Sequence, residues 1–326
     1  MKNKSHYISI FLFFSWIILF LFAGLRVPGF DRDSYTYIDL ISRPIQDIWF
    51  QEPTFIALVV INRVLFDGYY QTFFMIYALL GVGIKIFCIN KMNEGRLLGF
   101  LIYLLLYYSL HDLTQIRVGV ASGLFLLSLF YLDGNKKRAF ILQIGAALFH
   151  YSAIVGLATL LLSTKKLNKW CWTLFVLISV AISKFMTQDF VLKIADVMPT
   201  FITVKVYNYI NMLNENGIFM DFNQYNFFYL GCVLVLLLGI YLIKLKAANP
   251  LFIISIKVFA LMLMSYYLLA PVPIMAGRIS EFFGIVLIIY FPMFCSLIKP
   301  RYMMATFILM FVCVHAVRLN LDILNF

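Results

Sequence analysis

Ten apolar runs of membrane length, most of them separated only by short basic hinges, leave this chain few ways to fold. They lie at about 7–25, 69–89, 97–110, 117–132, 139–163, 170–186, 225–243, 251–270, 279–298 and 302–319. A helix of about 20 apolar residues crosses the hydrocarbon core of a bilayer. The expected fold class is therefore all-α: a polytopic integral membrane protein of about 9–11 transmembrane helices, one membrane domain over 1–326. Composition agrees, because 63% apolar and 13% charged residues exclude a soluble globular domain. The first run follows Lys2 and Lys4 as a signal sequence would. It is long enough to span, has no clear small-x-small cleavage site and precedes further spans, so it reads as an uncleaved first helix.

The net charge of +11 does not point to nucleic acid, because the basic residues gather in the hinges between runs, the pattern by which a membrane protein sets its orientation. The hinges are Lys91/Arg96, Lys136-Lys137-Arg138, Lys165-Lys166/Lys169, Lys244/Lys246 and Lys299/Arg301. With Lys2, Lys4 and Lys85, one side of the membrane then holds fifteen Lys/Arg against two acids, Glu94 and Asp133. By the positive-inside rule that side is cytoplasmic. This assignment has two consequences. Thr54–Phe66 should not cross, which makes it an interfacial or re-entrant helix. The run 139–163 should enter and leave on the cytoplasmic side as two half-length helices meeting near His150. The alternative is one tilted helix of 25 residues, long enough to span at 1.5 Å per residue. No proline breaks the run.

Two external loops remain, about 26–68 and 187–224. In the first, Ile38, Ile41, Ile45, Ile48 and Trp49 suit a helix lying in the interface, broken at Pro44. In the second, Phe190, Val191, Ile194 and Val197, then Phe201 to Leu213, read as amphipathic cover over a site. Five cysteines (Cys88, Cys171, Cys232, Cys295, Cys313) lie singly in apolar stretches and read as small buried apolar residues. His6, His111 and His315 show no metal-ligand spacing and HExxH is absent, so no metal and no cofactor is expected. There is no Gly-rich phosphate loop, no GxSxG and no repeat of fixed period.

Ionisable groups near or inside a bilayer are rare and mark substrate or ion sites by default. Under this topology Arg32, Asp33, Glu52, Arg117 and Arg278 face the external side or its membrane boundary, and His150 lies in an apolar run. Guanidinium pairs bidentately with phosphate oxygens, so arginines beside a membrane fit a phosphate ligand. A nearby carboxylate can accept a hydroxyl proton, and His150 can hold a phosphate oxygen or shuttle a proton. Plainer readings stand beside these. Arg32–Asp33 also fits an exposed ion pair, Arg117 a snorkelling anchor, His150 a hydrogen-bonded packing residue, Glu52 before Pro53 a helix start, and Arg278 with Glu281 a helix-surface pair.

Five segments occur in an order that resembles the EpsG family of Wzy-type bacterial polysaccharide polymerases. They are Arg32-Asp33-Ser34-Tyr35 after the first run, Glu52-Pro53-Thr54-Phe55, Ile116-Arg117-Val-Gly-Val-Ala121, Ala147-Leu-Phe-His150-Tyr-Ser152-Ala153, and Arg278 opening a late helix. The chain departs from the family pattern at Val118, where Gln is common, and at Asp31 before Arg32. The resemblance implies a glycosyltransferase of the bacterial inner membrane with its site facing the periplasm, GT-C-like by analogy. Such a protein joins undecaprenyl-diphosphate-linked oligosaccharide donor and acceptor units into O-antigen, capsule or exopolysaccharide. It works in the lipid bilayer beside a flippase and a chain-length regulator. On this resemblance Arg117, Arg278 and Arg32 bind the donor diphosphate, and Tyr35 and Ser152 contact substrate. Asp33 is the first candidate for general base, Glu52 the second, and His150 supports the leaving group. The rival is a repeat-unit flippase or other multispanning transporter.

Overall fold

A computed structural model describes residues 2–197, 200–216, 222–244 and 249–323. Lys246 lies outside the described residues, as do the side chains of Lys2, Lys4, Phe201 and Leu213. The described chain is helical, without strands, and forms two compact units, Met1–Leu162 with Ile285–Phe326, and Ser163–Gly284. The first unit opens with α1 (Lys2–Leu25), α2 (Ser34–Ser42), α3 (Pro53–Phe66), α4 (Tyr70–Lys91) and α5 (Arg96–Ile102), which runs on into a π-helical stretch (Tyr103–Thr114). It continues with α6 (Ile116–Leu129), α7 (Lys136–Phe149) and a 3-10 helix (Tyr151–Leu161). The second unit holds α8 (Lys169–Ile182), α9 (Gln188–Ala195), α10 (Thr200–Asn216), α11 (Phe227–Leu242), α12 (Pro250–Leu268) and α13 (Pro273–Gly284). The chain then returns to the first unit as α14 (Leu287–Cys295) and α15 (Arg301–Ile323).

Among the described residues, five helical stretches are long and apolar enough to cross a membrane: His6–Leu25, Tyr70–Lys91, Arg96–Thr114, Pro250–Leu268 and Arg301–Leu321. The other apolar runs are shorter or broken. The run 170–186 bends by 114° into α9, and 117–132 becomes the 14-residue α6, about 21 Å long.

Within the first unit, α1 runs antiparallel along α4. Ser9 Oγ donates to Asn90 Oδ1 at 2.8 Å, Trp16 lies on Gly83, and Gly24 lies against Met75 so closely that a Cβ there would sit 2.5 Å from the methionine side chain. The basic hinges of this unit collect at one end. Arg96 reaches Ser9 and Asn90 at 3.2 and 3.3 Å, and Arg301 pairs with Glu94 at 3.1 Å. Lys91 and Arg138 both lie on the Tyr131 ring, 4.5 and 4.8 Å from its centroid. Lys85 is the exception among the residues counted there: it is wholly buried.

The loop after α1 folds back on the unit. Arg26 Nε meets Asp31 Oδ2 at 2.9 Å with both side chains buried, and the guanidinium lies 4.0 Å above the Phe74 ring. Gly29 takes φ +89°, a left-handed conformation that glycine adopts without strain, and its N–H donates to Ser34 Oγ. α3 lies across the start of α4 rather than along it. Phe55 packs on Phe73 with centroids 5.4 Å apart, while two turns later Asn62 Oδ1 accepts from Thr72 Oγ1 at 2.6 Å. Both ends of the buried face of α3 thus meet the same turn of α4. Arg63 clamps the end of α3 to the carbonyls of Ile41 and Arg43.

The second unit buries a cation that sequence reading passed over. Lys257, inside the apolar α12, donates to the carbonyls of Ser163 and Lys166 at 2.5 and 2.7 Å. Its long stem follows the apolar surface while its charge finds hinge carbonyls. The amphipathic second loop packs Val191 and Ala195 of α9 with Val206 and Ile210 of α10 around Val272, which makes it a cover for the start of α13. The cysteines divide: Cys88, Cys232 and Cys295 are buried, but Cys171 is half-buried and Cys313 exposed. Cys313 shares the outward face of α15 with Val314 and Val317, where an apolar group needs no protein neighbour in a membrane.

Candidate active site

The run 139–163 is two helices. α7 ends at Phe149, His150 is extended (φ −154°, ψ 119°), and the 3-10 helix starts at Tyr151. The chain turns back on itself, because Lys136 Nζ donates to the Leu160 carbonyl at 3.3 Å. Inside the hairpin, buried Gln143 donates to Ser128 Oγ of α6 at 3.0 Å and to Thr159 Oγ1 at 2.9 Å. His150 therefore sits at the tip.

A break without proline leaves backbone groups unsatisfied at both new ends, and the start of α3 satisfies them. Thr54 Oγ1 donates to the Leu148 carbonyl at 2.7 Å, and the Tyr151 N–H points to Glu52 Oε1 at 3.4 Å. The Tyr151 hydroxyl donates to the Gln51 carbonyl at 3.2 Å. Residues 51–54 thus cap a hairpin about 100 positions away in the chain.

Glu52 joins this cap to the charged groups around it. It precedes Pro53, the first residue of α3, yet its carboxylate makes no capping bond to its own helix. Oε2 accepts from Arg117 Nη1 at 2.6 Å, and Oε1 meets His150 Nδ1 at 2.9 Å. Since a carboxylate only accepts, Nδ1 carries a hydrogen, and protonation at Nε2 then decides the charge of the ring. Burial alone would raise the Glu52 carboxyl, but the His150 hydrogen bond and the Arg117 charge outweigh it and hold it at about 2. With both oxygens engaged, Glu52 is built to position Arg117 and His150. A carboxylate held so low is a poor proton acceptor.

Arg117 stands on the first turn of α6 after a backbone break at Gln115 (φ −88°, ψ 60°). Its Nη1 also donates to Gln51 Oε1 at 2.5 Å. The guanidinium lies over Phe55 and Tyr37, 5.1 and 5.6 Å from their centroids. Its side chain remains 20% exposed and that of His150 12%, so the cluster is open on one side. Burial raises the Tyr37 hydroxyl; Arg117 opposes that rise, and Asp33 and Glu52 add to it. Asp33 therefore lies within electrostatic range of the ring beneath Arg117.

Beneath this cluster is a second one that sequence reading missed. Lys85 Nζ donates to Asp112 Oδ1 at 2.8 Å, to the Gly119 carbonyl at 2.7 Å and to the Gly81 carbonyl at 3.4 Å. Tyr103 donates to Asp112 Oδ2 at 2.8 Å, and Ser122 Oγ bridges the Gly119 carbonyl and His111 Nδ1. Close approach makes the pair possible. A Cβ on Gly81 would lie 2.4 Å from Asp112 Oδ1, and one on Gly119 2.5 Å from the His111 carbonyl. The wide π turn carries His111 and Asp112 to this contact, and Gly119 is two residues beyond Arg117. The pair fixes the start of α6 from below.

The other expected site residues are placed less centrally. Arg32 and Tyr35 are exposed, with Tyr35 leaning on Gly29. The buried ion pair of their turn is Arg26–Asp31, and Asp31 Oδ1 accepts from the Asp33 N–H at 3.0 Å. Ser152 lies half-buried one residue past Tyr151. Arg278 belongs to the second unit. It does not open its helix, since α13 begins at Pro273; exposed, it donates to the Tyr209 hydroxyl of α10 at 3.0 Å and lies 5.5 Å from that ring centroid. Among the described residues no group of three His, Cys, Asp or Glu could hold a metal ion.

A fixed, partly open pair, Arg117 at the start of α6 and His150 at the hairpin tip, can bind an oxyanion. No curated protein and no solved structure matches the chain. The EpsG family matches residues 9–323. That match covers nearly the whole chain, hairpin and ion cluster included, and the chain belongs to the EpsG family, a family of Wzy-like polysaccharide polymerases in bacterial membranes.

Proposed function

We propose that this protein is a membrane glycosyltransferase that polymerises undecaprenyl-diphosphate-linked oligosaccharide units at the periplasmic face of the inner membrane. The observation that carries the reading is the convergence of Glu52, Arg117 and His150, from three separate segments, at the tip of a hairpin with one open side. In the reaction an acceptor sugar hydroxyl attacks the anomeric carbon of the donor glycan. The bond to the diphosphate oxygen breaks and leaves its electron pair there. Arg117 and His150 bind the departing diphosphate, where charge develops, and Glu52 holds both in place. Asp33, beside Tyr37, takes the hydroxyl proton. Arg32, Tyr35 and Ser152 enter as flanking substrate contacts. Arg278 enters as a phosphate ligand of the second unit, on its place in the motif order.

The test is glycan length in a strain lacking its own copy, with wild type or Arg117→Ala supplied at equal membrane levels. The reading expects long chains with wild type and a single surface repeat unit with the variant. Long chains with the variant would remove Arg117 from the site. Absence of any surface unit in the deletion strain would instead mark the protein as a flippase.

A further inference from the structure

Two buried donors beside the ion cluster have no acceptor among the described residues. Tyr77, on α4, is 1% exposed and its hydroxyl makes no hydrogen bond; the Nε–H of Arg117 is also buried and unbonded. Both belong to one neighbourhood. Tyr77 lies in the same apolar cluster as Tyr37 and Phe55, whose rings underlie the Arg117 guanidinium, and as Ile116, the residue before Arg117. Its ring meets Phe149, the residue before His150, edge-on at 6.1 Å between centroids. Tyr77 thus contacts the segment carrying His150 and shares its apolar cluster with the residue before Arg117.

Packing does not account for that hydroxyl. The neighbours of the ring include Phe73, 5.0 Å away, and Phe149, and a phenylalanine would fill the same space. Buried tyrosine hydroxyls ordinarily find a partner, because an unmade hydrogen bond in a low-dielectric interior is costly. An acceptor that serves a phenol and a guanidinium Nε–H together needs at least two lone pairs and gains from negative charge. A phosphate oxygen has both properties.

We propose that Tyr77 is a further substrate-binding residue, its hydroxyl and the Arg117 Nε–H jointly holding one oxygen of a lipid-borne phosphate group. This rests on reading Arg117 as a diphosphate ligand, and it adds a residue that lies in none of the motifs.

The test uses the full chain in nanodiscs, with undecaprenyl diphosphate and phosphatidylglycerol as separate probes, for wild type, Tyr77→Phe and Arg117→Ala. For Tyr77→Phe the expected results are an unchanged or higher melting temperature without ligand and a loss of affinity for undecaprenyl diphosphate of roughly tenfold or more. A matching loss for phosphatidylglycerol alone would support the phosphate site and assign it to a bilayer lipid. A lower melting temperature for Tyr77→Phe would show that the hydroxyl has a partner within the protein, and would overturn the proposal. Wild-type binding by Tyr77→Phe while Arg117→Ala fails to bind would also overturn it and leave the Arg117 reading standing. Wild-type binding by Arg117→Ala would remove that reading as well.

Discussion

The Lys85–Asp112 pair and the Glu52–Arg117–His150 cluster meet the same two helices, α4 and α6, and use charge in opposite ways. Lys85 is completely enclosed, and its three donations go to Asp112 and two carbonyls. Arg117 is partly open, held by Gln51 and Glu52 through one nitrogen, with its Nε unbonded. A closed, satisfied pair specifies how helices dock, whereas an open, under-satisfied one is ready for a ligand. Ionisable groups within membrane runs are therefore separable by how completely their donors are used.

The sharpest way to break this contrast is to remove one partner of the closed pair. Lys85→Met or Asp112→Leu should destabilise the protein by about 3–5 kcal/mol, because the remaining charge is buried alone. The double variant should recover much of that loss, since an apolar pair needs no desolvation. Thermal unfolding in detergent checks both. A mild effect of either single change would make the pair dispensable.

The open cluster should respond to pH in a defined way. The Glu52 carboxyl lies at about 2 in the folded protein against an ordinary 4.5. Its stabilisation is thus complete above about 4.5 and disappears as pH falls toward 2, about 3 kcal/mol in all. Unfolding curves of wild type and Glu52→Gln should differ above about pH 4.5 and converge on acidification toward 2. In activity, Glu52→Gln should cost about 10²-fold by releasing Arg117 and His150, an effect of about 3 kcal/mol.

Smaller changes test the support beneath Arg117. Gly119→Ala places a Cβ against the His111 carbonyl and should cost about 1–3 kcal/mol, with a matching fall in polymer length. Arg32→Ala, at an exposed position, should change stability by less than about 0.5 kcal/mol. Polymer length then reports its substrate contact alone.

Much of the fold was legible in the sequence because runs and hinges report the membrane directly. Charge balance favours a hairpin over 139–163 and leaves one tilted helix as the alternative; the hydrogen bond from Lys136 to Leu160 decides for the hairpin. What stops the helix at His150 was not legible, since its caps come from Glu52 and Thr54, far away in the chain. Glu52 itself read as an ordinary helix start, and only tertiary contact shows its carboxylate turned to Arg117 and His150. In the sequence Lys85 counts with the cytoplasmic hinges, because charge counting has no means of recognising a buried pair. A signal was present nonetheless: Gly81 and Lys85 are one turn apart, and Asp112 stands seven residues before Gly119. In the first loop the motif drew attention to Arg32 and Asp33, while the buried pair is Arg26–Asp31.

The central claim is that Arg117 holds a lipid diphosphate while glycan is transferred. The most direct measurement is release of undecaprenyl diphosphate from lipid-linked repeat units by purified protein in nanodiscs, comparing wild type with Arg117→Lys, which keeps the charge and loses the planar fork. The account expects release with a ladder of products from wild type and at least a tenfold slower release from Arg117→Lys. Equal release rates would contradict it.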